Sequence, residues 1–128
     1  MIDHDVVVTG VGMVTPWGIT AAQSAAAWRR GDSVETQSLP ELAGTALEDA
    51  RAAIMPDVDP AERFGRERIL TFVSRTAVLG CMAAREAATA AALRDRFDPE
   101  RVGLYAGVGL AAADIDEVRP MIEESIDE

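Results

Sequence analysis

Lysine is absent from the chain, cysteine and histidine occur once each, and aromatic residues make up only 5 %. Each shortage closes a class of function. A single thiol, Cys81, cannot form an internal disulfide, so oxidative stapling is excluded. One cysteine and one histidine leave too few soft ligands for a zinc site. No apolar run approaches the ~20 residues that a membrane-spanning helix needs. The N-terminus, Met1-Ile2-Asp3-His4-Asp5, is acidic and unlike a secretory leader. A cytoplasmic location with no membrane partner is expected on those grounds. With 22 acidic residues against 12 arginines the net charge is −10. That balance repels phosphate backbones and argues against nucleic-acid binding.

What remains suits one small domain over residues 1–128. Hydrophobic residues reach 48 %, enough to build a core rather than stay disordered. With so few aromatics, that core has to come from Val, Leu, Ile, Ala and Met. Val6-Val7-Val8-Thr9 is an unbroken β-branched run, and it predicts a buried central strand because an edge strand would alternate. Thr15-Pro16-Trp17-Gly18 is loop chemistry. Thr20 predicts an N-cap, Ala21 to Arg30 a helix, and Gly31 its C′ terminator.

Residues 32–60 carry Pro40, Gly44, Pro56 and Pro60 and read as an irregular capping segment, with a short helix between Leu47 and Ile54. Arg66 to Leu93 is the longest helical pattern. Its apolar stripe runs through Ile69, Phe72, Val73, Thr76, Ala77, Gly80, Ala84, Ala87, Ala88 and Ala91. The stripe is small toward its C-terminal end and lets a neighbouring element approach closely. Gly80 costs about 1 kcal/mol against alanine inside a helix, so a tight packing contact is expected there. Phe97-Asp98-Pro99-Glu100 breaks the pattern, and residues 101–109 predict a second strand. Strand, helical crossover and strand imply a parallel pair with right-handed connection. Residues 111–128 form an acidic tail; no calcium-loop spacing is present in it, and a solvated face or partner-binding segment is expected.

Gly10-Val11-Gly12-Met13-Val14-Thr15 follows the first run and precedes a helix, as a dinucleotide-binding turn does. Thr15 stands where the third glycine belongs, and Pro16 prevents the helix from starting against a pyrophosphate. The two glycines therefore read as a tight turn after a buried strand. Cys81, within the long helix, gains no help from a helix N-terminus and has no basic partner in the sequence. It reads as a small core hydrophobe. His4, between Asp3 and Asp5, reads as a solvated terminal residue.

The string Val6-Val7-Val8-Thr9-Gly10-Val11-Gly12-Met13-Val14-Thr15-Pro16-Trp17-Gly18 resembles the opening signature of the β-ketoacyl-ACP synthases, the condensing enzymes of fatty-acid and polyketide synthesis. Trp28-Arg29-Arg30-Gly31-Asp32-Ser33 is similar to the family's next helix end. Ala83-Ala84-Arg85-Glu86-Ala87 resembles its alanine-rich helix, and Arg101-Val102-Gly103-Leu104-Tyr105-Ala106-Gly107 its second strand. The likeness runs in order over residues 4–110 and is poor in 34–60 and after Gly109. It implies an α/β chain with a partial thiolase-like fold, a mostly parallel sheet with packed helices. The family's nucleophilic cysteine and its histidines lie beyond the second strand. No catalytic, cofactor-binding or metal-binding residue is therefore assigned, and no cofactor is expected.

Four functions follow from the resemblance. The first is a non-catalytic ketosynthase-like subunit that stabilises or shapes a partner ketosynthase-like protein chain in a condensing complex. The second is one half of a split β-ketoacyl synthase whose Cys and His residues come from a second chain. The third is a free-standing module that binds an acyl carrier protein or another protein; the acidic balance argues mildly against a carrier protein, since those are commonly acidic too. The fourth is a fragment of a longer synthase. The acyltransferase activity of the family is not expected of this chain alone.

Overall fold

The computed structural model describes residues 5–65 and 73–107, together with Gly109 and Pro120. His4, the stretch 66–72 and nearly all of the acidic tail lie outside the described residues. Helix α1 spans Ala21–Arg30 and forms as its caps dictate. Thr20 stands in the extended region, and its Oγ1 accepts the Gln23 N–H at 3.2 Å. That satisfies one of the orphan donors of the first turn. Gly31 takes the left-handed conformation at φ 73°. Its N–H and that of Asp32 return to the carbonyls of Trp28 and Ala27, both at 3.0 Å, the double closure of a glycine-ended helix.

Strands β1 (Thr36–Ser38) and β2 (Arg51–Ala53) pair antiparallel, with Gln37 opposite Ala52. Arg51 ties the pair by donating to the carbonyl and hydroxyl of Thr36. Helix α2 is the short Pro60–Phe64, capped by the Asp59 carboxylate on the Ala61 N–H at 2.8 Å. Helix α3 covers Arg75–Ala90, with Ser74 as its cap. Ala92, at φ 50°, turns the chain into the single turn of α4, Leu93–Arg96. Phe97 ends it, and Pro99–Arg101 forms a 3₁₀ turn.

This architecture overturns the expected α/β fold. Among the described residues the only sheet is the two-stranded antiparallel β1–β2, so the mostly parallel thiolase-like sheet with packed helices is absent. Val6, Val7 and Val8 belong to no strand, and Val6 and Val8 are 98 % and 83 % exposed. Residues 102–107 form no strand either, and Tyr105 is 98 % exposed. The physical reason is pairing. A β-branched run becomes a strand only where a second backbone accepts its N–H and C=O groups, and no described residue does so for Val6–Val8. The expected helix between Leu47 and Ile54 is also absent: turns run to Asp49, and β2 follows.

Helix α3 is the centre of what packs. Val78 and Met82 are buried on it, joined by Ala27 and Ser24 of α1 and by Ala91. The segment Gly10–Met13 lies directly on its backbone. A Cβ at Gly12 would stand 1.8 Å from the Ala83 carbonyl oxygen, and one at Gly10 would stand 2.3 Å from that of Ala87. Neither glycine has a positive φ. They serve close approach, with no need of special turn conformations, which corrects the tight-turn reading. The small residues Ala83 and Ala87 do admit a neighbour, and that neighbour is this segment. Gly80 is exposed, and a Cβ on it would meet nothing within 4 Å among the described residues; the tight contact expected there is not found.

Candidate functional site

The most organised polar arrangement centres on Glu86, in the C-terminal half of α3 on its inner face. One of its carboxylate oxygens accepts the Met13 N–H at 2.9 Å. The Ala21 N–H reaches both oxygens, at 2.9 and 3.0 Å. Ala21 is the first residue of α1, so its N–H is an orphan of the helix start and sits at the positive end of the helix dipole. Glu86 therefore joins three pieces of chain: α3, the glycine segment and the start of α1.

Thr15, the residue in place of a third glycine, is a second joint. Its hydroxyl lies 2.7 Å from that of Ser24 on α1 and accepts the Trp17 N–H at 3.2 Å. Thr15 and Gly18 exchange backbone hydrogen bonds at 2.9 Å each and close the turn between them. The resulting start of α1 cannot receive a pyrophosphate, because a carboxylate of the chain itself already holds that N–H. Anion binding at helix starts depends on such free groups.

A cleft of about 530 Å³ opens beside this joint, between α3 and α2, lined by Ile19, Thr20, Phe64, Met82, Arg85 and Glu86 among others. Arg85 is held across it: Nη1 donates to the Arg63 carbonyl at 2.6 Å, and the guanidinium lies 5.9 Å from the centre of the Phe64 ring. The remaining lining mixes signs, Glu62 with Arg63, and includes Thr89. A second cleft of about 460 Å³ lies between Pro16–Trp17 and the stretch Ser33–Gln37. Its polar lining includes Ser33, Glu35 and Thr36.

Cys81 is exposed on α3, which corrects its expected burial in the core. The helix buries Val78 and Met82 and turns Glu86 toward α1, and at 3.6 residues per turn Cys81 falls to the flank of that face. It lies in the second turn of α3, away from the helix start. Among the described residues, no three His, Cys, Asp or Glu side chains group so as to hold a metal ion, and no described helix is long and apolar enough to cross a membrane.

Glu86 is the residue that sequence reasoning passed over, inside Ala83-Ala84-Arg85-Glu86-Ala87. A signal was present: it follows Met82 by four residues and so shares the buried stripe. A carboxylate on such a stripe requires hydrogen-bond partners. No protein-family model, curated protein or solved structure matches the chain.

Proposed function

We propose that this chain is a non-catalytic ketosynthase-like subunit of a fatty-acid or polyketide condensing complex, stabilising or shaping a partner ketosynthase chain. The family part of the reading rests on the ordered resemblance of residues 6–18, 28–33, 83–87 and 101–107. The partner part rests on one observation: Val6–Val8, Leu104 and Tyr105 are bare to solvent. Burying a valine side chain is worth roughly 1.5–3 kcal/mol, so the three valines alone forfeit about 5–9 kcal/mol. A small domain's whole stability is of that order. A chain that leaves so much unburied gains most by closing on another surface.

The test is co-expression with a catalytic β-ketoacyl synthase of the same organism, followed by the mass of the purified assembly and a condensation assay with and without this chain. A heteromer more stable than either component, with turnover altered by the chain, is the expected outcome. A stable monomer indifferent to the synthase refutes the subunit role.

A further inference from the structure

We infer that the cleft between α2 and α3 binds a small monocarboxylate with an aromatic body, anchored by Arg85. At about 530 Å³ the cleft falls within the range of small-molecule sites, about 300–1,000 Å³. Its walls have the composition such a site needs. Ile19, Phe64 and Met82 supply apolar surface. A thioether and a phenyl ring both favour an aromatic neighbour. Arg85 supplies the polar anchor. Its Nη1 donates to the Arg63 carbonyl at 2.6 Å, and its guanidinium lies 5.9 Å from the centre of the Phe64 ring. The fork is therefore oriented before a ligand arrives, which lowers the ordering cost of binding. Its Nε and Nη2 donate to no described residue. Among the described residues no carboxylate pairs with it, the one ion pair being Arg30 with Asp32.

The charges around the anchor define the ligand. The lining holds Arg63 and Arg85 against Glu62 and Glu86. The Glu86 oxygens are already engaged by the Met13 and Ala21 N–H groups, and the positive end of α1 offsets its charge. Two arginines therefore stand against one uncompensated glutamate, Glu62, which leaves room for a single negative charge. A planar carboxylate matches the guanidinium fork with two parallel hydrogen bonds. A phosphate ester would bring a second charge beside Glu62 and into a chain of net charge −10, which disfavours it. A cationic ligand would find only Glu62, beside two arginines of its own sign. This binding needs no partner chain and is tested on the full chain alone.

The probe is phenylacetate, titrated into the chain and followed by NMR, with phenylacetamide as its uncharged counterpart. The expected result is a Kd of about 1 mM or tighter, with resonance shifts centred on Thr20, Phe64, Met82 and Thr89. The amide is expected to bind roughly tenfold more weakly, and so is the acid to Arg85→Gln. Arg85 is exposed, and helical circular dichroism reads whether the variant keeps its fold. In Arg85→Gln the acid and the amide bind alike, an outcome that a purely structural role for Arg85 would not produce. The comparison of acid with amide on the wild-type chain stands whatever the variant does. Equal affinity of the wild-type chain for acid and amide overturns the inference. So do shifts centred outside the cleft, or no shift at about 10 mM acid. Tighter binding of phenyl phosphate than of phenylacetate assigns the anchor to a different anion and overturns it too.

Discussion

Gly12→Ala tests the packing argument at its tightest point. The added methyl would lie 1.8 Å from the Ala83 carbonyl oxygen and 2.8 Å from both the Ala83 carbonyl carbon and the Ala87 nitrogen. All three are helix backbone, which cannot rotate aside. Ordinary contact begins at 3.4 Å, so the segment has to withdraw by about 1.6 Å from α3. That carries the Met13 N–H, now 2.9 Å from Glu86, beyond hydrogen-bond range. Overpacking of this kind costs about 1–3 kcal/mol, and the lost charge-assisted bond about 1 kcal/mol more, reduced because Met13 is open to water. A loss of about 2–4 kcal/mol is expected. Urea unfolding followed by tryptophan fluorescence reads the total, since Trp17 sits in the turn between the segment and α1. Amide exchange at Met13 reads the mechanism. An unchanged midpoint together with unchanged Met13 exchange would show that the segment does not lie on α3 as described.

Gly80→Ala is expected to act in the opposite direction, raising stability by about 0.5–1 kcal/mol, because the site is open and helical; a loss of stability in the same urea titration would place a close neighbour there. Glu86→Gln keeps the shape and removes the charge at the start of α1. It should cost about 1–2 kcal/mol and speed exchange of the Ala21 amide, while unaltered Ala21 exchange would mean that the carboxylate does not hold the helix. Thr20→Ala is expected to cost about 1 kcal/mol of thermal stability through the lost cap, and no change in melting would count against that cap. Cys81 should react with a thiol reagent in the native chain at a rate close to that of the urea-unfolded chain, and strong protection would return it to the core.

The legible parts of the sequence are those decided within a few residues. Thr20, the alanines and Gly31 fix α1 through its own caps, and Pro99 follows a helix end that Phe97 marks. The strands failed because Val6–Val8 and residues 102–107 advertise pairing without saying which backbone pairs with them. That information lies elsewhere in space. The glycines failed for a related reason: Gly10, Gly12 and Gly80 look alike in sequence, yet two touch helix backbone and the third faces solvent. Of the candidate site, Thr15 was legible as a departure from the dinucleotide pattern, whereas its bond to Ser24 was not. Glu86 was hidden by its surroundings, since an alanine-rich helix draws attention to what is small rather than to the one carboxylate on its inner face.

The bond between Ala21 and Glu86 spans 65 residues, and that separation sets a timetable for synthesis. A ten-residue helix is marginal in water without tertiary support, so α1 waits for α3 before it is secured. At roughly 5–20 residues per second, Glu86 is added about 3–13 s after Ala21. Throughout that interval the valine run and the unsecured start of α1 face solvent together, within the reach of any chaperone that recognises short apolar segments. A partner that captured Val6–Thr9 during synthesis would meet it before α3 exists, so assembly and folding of this chain would proceed as one process on the ribosome.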